Sequence, residues 1–248
     1  MQCLSPFRVE KKSGLIVYAP CGQCIACRLN YGKLWSIRMM EELKNHDKAC
    51  FATLTYDGEH YEDLIDEQGI GRLCKKDLQN FWKRLRKERK VRYFACGEYG
   101  DRFGRPHYHA IIYGVSPEEV DLVQKHWPNG YVRLGTVTED SCAYVAKYMT
   151  KKLRGKSLES KLSIDPNFQN EFVLMSRRPG IGAELSPAMV RYLQDNGIYY
   201  RKGVKTGLPR YWKEKFNIEV SRGKKHLINE VNASKIIERR LKFFKRKG

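Results

Sequence analysis

From Trp35 to Leu153 the apolar residues recur with two periods, and each period marks an element. Leu78, Phe81, Trp82 and Leu85 are spaced i, i+3, i+4, i+7, which puts them on one face of a helix. Lys83, Arg84, Arg86, Lys87, Arg89 and Lys90 fill its other face. Cys50 to Tyr56 (CFATLTY) is β-branched and aromatic, as a strand is. Val91 to Glu98 and Pro106 to Tyr113 are strand-like and flank the turn-rich YGDRFGR, which predicts a hairpin. Ser116-Pro117-Glu118-Glu119 predicts a helix start, with Ser as the cap and Pro just inside it. Tyr131 to Val137 reads as a further strand and Asp140 to Leu153 as a final helix. Upstream, Trp35 to Leu43 continues a helix that starts near Ile25. Together these predict an α+β fold, an antiparallel sheet with helices on one side.

Four regions separate along the chain. Residues 1–30 carry a cysteine cluster, 31–152 form the core, 153–220 are an extension rich in Gly, Pro, Lys and Ser, and 221–248 are a basic helical tail. No internal repeat or low-complexity tract is visible. A chain of 248 residues, 42% hydrophobic and 12% aromatic, can bury a core and is not wholly disordered. Charge changes the picture more. Lys and Arg number 47 against 28 Asp and Glu, a net +19. Such a surplus repels itself unless a polyanion is near; nucleic acid is the first candidate and an anionic membrane surface the second. Met1 to Gly14 is polar and charged, unlike a signal peptide, and no apolar run approaches the ~20 residues that span a bilayer. The expectation is a soluble, intracellular protein with no membrane partner.

His107-Tyr108-His109 falls inside a predicted strand, where residues two apart project from one face. Both imidazoles can therefore share an ion. If the hairpin closes tightly, Glu98 lies opposite or nearly opposite His107 and completes the site. Two imidazoles and a carboxylate suit Mg²⁺ with waters, Mn²⁺, Zn²⁺ or Fe²⁺; the alternative is a pair of polar residues on a solvated strand face. In Cys142 to Leu153 (CAYVAKYMTKKL), Tyr144, Lys147, Tyr148 and Lys151 share one helical face. Cys142, Val145, Ala146, Met149 and Leu153 form the opposite, docking face, leaving both tyrosines outside the apolar stripe. A phenol with a pKa near ~10 needs a neighbouring positive charge to act as a nucleophile at neutral pH. Lys147 can supply it, and a divalent ion can polarise the phosphate under attack. The bland alternative is an amphipathic helix whose tyrosines cover a neighbouring surface.

These residues, in this order, resemble the HUH endonucleases, the rolling-circle initiators and relaxases. FATLTYD (51–57) resembles their first motif and GRPHYHAII (104–112) the second, with Tyr108 aromatic where the family has an aliphatic residue. YVAKY (144–148) resembles the two-tyrosine form of the third. The closer resemblance is to the initiators of small single-stranded DNA phages of the gokushovirus type. There CGQCIACR (21–28), TLTYD, CGEYGDRFGRPHYH (96–109), YVAKY and MSRRPGIG (175–182) recur together. The resemblance covers about residues 1 to 182 and implies a ferredoxin/RRM-like core and a nicking enzyme. In it Tyr144 and Tyr148 are nucleophiles with Lys147 beside them, and His107, His109 and Glu98 hold Mg²⁺ or Mn²⁺. The implied partner is single-stranded origin DNA, contacted by Lys83, Arg84, Arg86, Lys87, Lys151, Lys152, Arg177 and Arg178. Gly155-Lys156-Ser157 lacks the upstream glycine of a phosphate-binding loop, because position 150 is Thr. Unwinding is therefore expected from a host helicase, and synthesis from a host polymerase, in the cytoplasm of a bacterial host.

Cys21, Cys24 and Cys27, with Cys3 as a fourth ligand, have spacing suited to structural Zn²⁺. An iron–sulfur cluster is the competing reading. Cys50, Cys74, Cys96 and Cys142 are scattered and expected merely to be buried. The tail after Val220 has ten Lys and Arg against two Glu, a solvated face or a phosphate-binding segment. Two other function classes fit parts of the pattern. A two-histidine–carboxylate metalloenzyme would leave YVAKY and the charge unused, and a non-catalytic DNA-binding protein would leave the HxH pair and the tyrosines unused.

Overall fold

The computed structural model describes residues 3–219 apart from 11, 15, 68, 102 and 152–155, and leaves the side chains of 150, 151, 156 and 157 undescribed. The basic tail and Lys152 therefore lie outside the described residues, as does the side chain of Lys151. Two compact units are present. One is residues 32–186; the other takes its described residues from 1–31 and 187–219.

In chain order the elements are β1 Phe7–Glu10, β2 Ile16–Ala19, α1 Ile25–Leu43, β3 Ala49–Tyr56, α2 Gly58–Glu62, α3 Lys75–Glu88, β4 Arg92–Tyr99 and β5 Pro106–Tyr113. Then follow α4 Val120–His126, β6 Gly130–Thr136, α5 Glu139–Lys151, α6 Lys156–Ile164, β7 Phe172–Met175, α7 Pro187–Asn196, β8 Tyr199–Arg201, β9 Val204–Thr206 and α8 Arg210–Lys215. The larger unit is built on an antiparallel sheet ordered β6-β3-β5-β4-β7. Its first four strands, with α3 and α4 as crossovers, make the split βαββαβ arrangement of ferredoxin-like folds. β5, which carries the two histidines, is the central strand.

One sheet face packs Leu54, Tyr93, Tyr108 and Ile112 against Leu78, Phe81, Trp82 and Leu85 of α3 and Val123 of α4. Burial of each large apolar side chain contributes about 1.5–3 kcal/mol. Like-charge pairs such as Lys83 and Lys87, one turn apart on the outer face, cost only about 0.2–0.5 kcal/mol each. Packing therefore wins, and a helix this basic stays docked.

Two expectations are corrected. Helices cover both sheet faces: Met39 of α1 and Cys142, Val145 and Ala146 of α5 pack on Phe94, Cys96, Ile111 and Tyr113 of the second face. The central strands are buried on both sides, so HAIIY of β5 shows none of the alternation a one-sided sheet requires. The helix placed at Ser116 starts at Val120, because Glu119 (φ −85°, ψ 45°) is not helical. Ser116–Glu119 is instead a turn closed by Glu119 N–H to the Ser116 carbonyl and by Ser116 N–H to Glu119 Oε2. The sheet also takes a fifth strand, β7, from the stretch 153–220, with Phe172 paired to Gly97 and Met175 to Phe94. In the smaller unit β1 pairs with β2 and β8 with β9, both antiparallel. Among the described residues no helix is long and apolar enough to cross a membrane.

Candidate metal and nucleophile site

The register of the sheet builds the site. Glu98 of β4 pairs directly with His107 of β5, and Thr53 of β3 pairs with His109. Paired residues share a face, and all four point to the side covered by α1 and α5. The Glu98 carboxylate is 2% exposed and its Oε1 collects three groups. His107 Nε2 and His109 Nε2 each lie 2.8 Å away, and the Tyr144 hydroxyl donates to it at 2.7 Å. Phe51 stacks on the His109 ring at 5.4 Å, and Tyr144 meets that ring edge-on at 5.0 Å.

The opposite ring nitrogens decide what this cluster can hold. His107 Nδ1 is 3.0 Å from the Arg105 carbonyl, which can only accept, so Nδ1 carries a proton. His109 Nδ1 is 3.0 Å from Thr53 Oγ1. A neutral His107 therefore presents an Nε2 lone pair to the carboxylate, as does His109 when Nδ1–H donates to Thr53. Acceptors facing an acceptor repel unless both rings are protonated or a cation lies among them, so the donor set fits a cation. Outer-shell partners such as Arg105 and Thr53 fix metal-ligating tautomers in this manner. Burial pushes the Glu98 carboxyl up, but hydrogen bonds from His107, His109 and Tyr144 outweigh it and hold the group at about 2. Burial lowers His107 and Glu98 raises it, the carboxylate prevailing.

The two tyrosines are not equivalent. Tyr144 is 39% exposed and touches Glu98, whereas Tyr148 is only 2% exposed and packs in the core with Val145 and Ala146. Tyr148 donates to the Tyr144 hydroxyl at 3.3 Å, with ring centroids 5.6 Å apart. The expectation that both lie outside the apolar stripe holds for Tyr144 alone. At ~100° per residue Tyr148 stands ~60° from Val145, at the edge of the stripe, and docking of α5 draws it in. Lys147 is exposed. The charge that meets the Tyr144 hydroxyl is the Glu98 carboxylate; burial first and then that carboxylate push the phenol pKa well up.

The predicted DNA-contacting residues are scattered. Lys83, Arg86 and Lys87 are exposed on α3, across the sheet from the histidines, and Arg84 is turned inward, its Nε donating to the His126 carbonyl at 3.0 Å. Arg177 and Arg178 are exposed in the loop after β7. Thr53 and Arg105 were not singled out from sequence, although Thr53 belongs to the TLTYD motif and stands in the same strand parity as the site.

In the smaller unit, ligand sulfurs of Cys3, Cys21, Cys24 and Cys27 all lie within 4.8 Å of one another, and this group could hold a metal. Gly22 takes φ +72°, the left-handed turn that brings Cys21 and Cys24 together. Backbone N–H groups of Leu4, Cys21 and Cys24 donate to the sulfurs of Cys24, Cys3 and Cys21. The N–H of Leu4 foremost brings the Cys24 thiol down to about 6, while burial takes Cys27 up to about 12. Cys50, Cys96 and Cys142 are buried free thiols and Cys74 a half-buried one.

A sheet that gathers two imidazoles, a carboxylate and a pair of phenols on one face defines a protein equipped to hold a cation beside a tyrosine nucleophile. Residues 49–153 match the family model of the replication-associated protein ORF2, and this stretch belongs to that family. The chain is 32% identical to replication-associated protein VP4 of Bdellovibrio phage phiMH2K over 62% of its length, spanning 59% of that relative. It is 27% identical to replication-associated protein ORF2 of Spiroplasma virus 4 over 84% of its length, spanning 73% of that chain. It is 27% identical to replication-associated protein ORF4 of Chlamydia phage 1 over 79% of its length, spanning 52% of that one. No solved structure matches.

Proposed function

We propose that this protein initiates rolling-circle replication of a phage genome, nicking single-stranded origin DNA with a tyrosine and later religating the circle. The observation that carries the reading is the convergence of His107, His109 and Tyr144 on one oxygen of Glu98, with Tyr148 directly behind. Relatives named replication-associated proteins support it. His107, His109 and Glu98 would hold Mg²⁺ or Mn²⁺, which supplies charge to polarise the scissile phosphate. Tyr144 oxygen bonds to phosphorus as the bond to the 3′-oxygen breaks, and the proton lost by the phenol ends on that leaving oxygen. A 5′-phosphotyrosine and a free 3′-hydroxyl result. The ester keeps the energy of the broken bond, so the 3′-hydroxyl can later reverse the step without ATP. One circle needs two cleavages, and the burial difference orders them: Tyr144 acts first and Tyr148 second. The site works in the cytoplasm of a bacterial host beside a host helicase and polymerase.

The Cys3, Cys21, Cys24 and Cys27 cluster holds structural Zn²⁺ in this reading. Tetrahedral Zn–S bonds of ~2.3 Å place sulfurs about 3.8 Å apart, the separation of Cys3 and Cys24, which is 3.8 Å. A cluster giving each thiolate its own iron needs wider spacing.

The test is a covalent adduct between the protein and a labelled single-stranded origin oligonucleotide in Mn²⁺, resolved after boiling in detergent. Tyr144→Phe should form no first-cleavage adduct, Tyr148→Phe should form it normally but release no circles, and His107→Ala should bind DNA without cutting. An adduct that survives in the double Tyr144→Phe, Tyr148→Phe variant would overturn the mechanism.

A further inference from the structure

The motif MSRRPGIG (175–182) takes no part in the metal site. It runs from the end of β7 into a loop whose backbone is anchored residue by residue. Arg92 Nη2 donates to the Pro179 carbonyl at 3.0 Å and the Gly180 carbonyl at 3.2 Å. Arg38 Nε donates to the Ile181 carbonyl at 2.9 Å, and the Gly182 N–H donates to Glu42 Oε2 at 2.7 Å. Gly182 has φ +66°, and a Cβ there would come within 2.7 Å of the Arg38 carbonyl oxygen, so only glycine lets the loop lie this close to α1. Four successive residues are thus fixed to α1 and β4, while the two side chains ahead of them, Arg177 and Arg178, are exposed.

Those arginines line a cleft of about 930 Å³ together with Arg86, Lys90 and Arg92. Arg86 is itself positioned, lying 4.9 Å over the Tyr93 ring and donating to Ser176 Oγ at 3.2 Å. Arg92 and Glu42 are paired to each other. That leaves Arg86, Lys90, Arg177 and Arg178 against the carboxylate of Glu184, a local positive surplus.

We propose that this cleft is a second, non-catalytic DNA site that takes the phosphodiester backbone. The inference rests on the proposed function, which makes DNA the polyanion at hand. Guanidinium groups held in place match phosphate oxygens in a planar, two-point fashion. The cleft and the tyrosine site lie toward opposite ends of one strand: Arg92 opens β4 and Glu98 is near its close. Six residues at ~3.4 Å each make this ~20 Å. At ~3.4 Å per base pair, a duplex held in the cleft could deliver its strand to Tyr144 about six pairs away. An acidic protein is the other conceivable occupant.

The experiment compares the full-length protein with Arg177→Ala/Arg178→Ala, binding a fluorescein-labelled single-stranded oligonucleotide and a duplex of the same sequence across a salt series. Each lost phosphate contact reduces the slope of log affinity against log salt by about 0.9 on duplex and about 0.7 on single strands. The variant's slope should therefore be shallower by about 1.8 on duplex, or about 1.4 if the occupant is a single strand. Arg177→Lys/Arg178→Lys should restore it, and the cleavage rate of a saturating oligonucleotide should not change. An unchanged slope on both DNAs, with wild type binding normally, overturns the inference and leaves the proposed function intact. Lysines that fail to restore the slope also overturn it. A wild type that binds neither DNA overturns the proposed function instead, and this inference with it.

Discussion

Replacing Tyr108 by Phe isolates a single oxygen that joins the strand of the histidines to the start of α3. The Tyr108 ring is fully buried on the sheet face opposite its neighbours' imidazoles. Its hydroxyl donates to the Cys74 carbonyl at 2.8 Å, accepts from the Cys74 N–H at 3.0 Å, and lies 2.7 Å from the Tyr56 hydroxyl. Cys74 is the N-cap of α3 and its own side chain makes no capping bond, so Tyr108 ties the residue down instead. Phe keeps the packing and deletes all three contacts. A net hydrogen bond contributes about 1 kcal/mol and a buried group left unpaired costs about 1–3 kcal/mol, so a loss of about 3 kcal/mol is expected. For a chain of this size that is roughly a 6–12 °C fall in the thermal midpoint, at about 2–4 °C per kcal/mol. The assay is thermal unfolding followed by circular dichroism, paired with nicking well below both midpoints. Because the imidazoles are on the other face, nicking by the folded variant should stay within about twofold of wild type, a difference of under ~0.5 kcal/mol in barrier. A midpoint shift below about 2 °C would refute the energetic argument. Lost nicking in a stably folded variant would refute the separation of faces.

Thr53→Val removes the partner of His109 Nδ1 and should weaken Mn²⁺ affinity about 10–100-fold, the usual cost of losing an outer-shell partner; calorimetric titration giving wild-type affinity would count against the tautomer assignment. Cys24→Ser should abolish binding of about one zinc per chain, read by elemental analysis, where iron and labile sulfide would point to a cluster instead. Burial raises the Glu42 carboxyl, but Arg92, the Gly182 N–H and His46 bring it below its ordinary value. A depressed carboxyl stabilises the fold above its unfolded pKa of ~4.3 and ceases to do so as pH falls through the folded value. Glu42→Gln should therefore cost about 3 kcal/mol at pH ~7, and the gap should close on acidification below pH ~4; urea melts with a gap independent of pH would contradict this.

What was legible in the chain follows a physical line. α3 could be read because four apolar residues at helical spacing face a purely basic side, a contrast no strand produces. The pairing of Glu98 with His107 was accessible because the loop between β4 and β5 is short, closed by Gly100 N–H to the Arg105 carbonyl. β7 was not accessible: its four residues are all half-buried, so the period-2 signal has nothing to alternate between. The burial of Tyr148 was hidden for a different reason. Angular position on an isolated helix says where the stripe is centred but not how wide it becomes when docked, and Tyr148 lies on its edge. Thr53 and Arg105 escaped notice because their role is to hold ring nitrogens, which only the folded register reveals.

The same central strands explain why both sites can be built accurately from so few residues. β5 is hydrogen-bonded on both sides, to β3 and β4, and β4 on both sides, to β5 and β7. A residue there cannot shift along its strand without breaking two ladders, and a one-residue slip would turn Glu98 or His107 to the opposite face. Rigid placement at the Glu98 end therefore carries over to the Arg92 end of the same strand. Arg92 then passes it on, through the Pro179 and Gly180 carbonyls, to the loop bearing Arg177 and Arg178. Lengthening that loop with glycines after Arg178 should leave the nucleophile site untouched while freeing the arginines from their fixed distance to it. A DNA that engages both ends would then lose affinity, whereas an oligonucleotide too short to span ~20 Å would not notice the change.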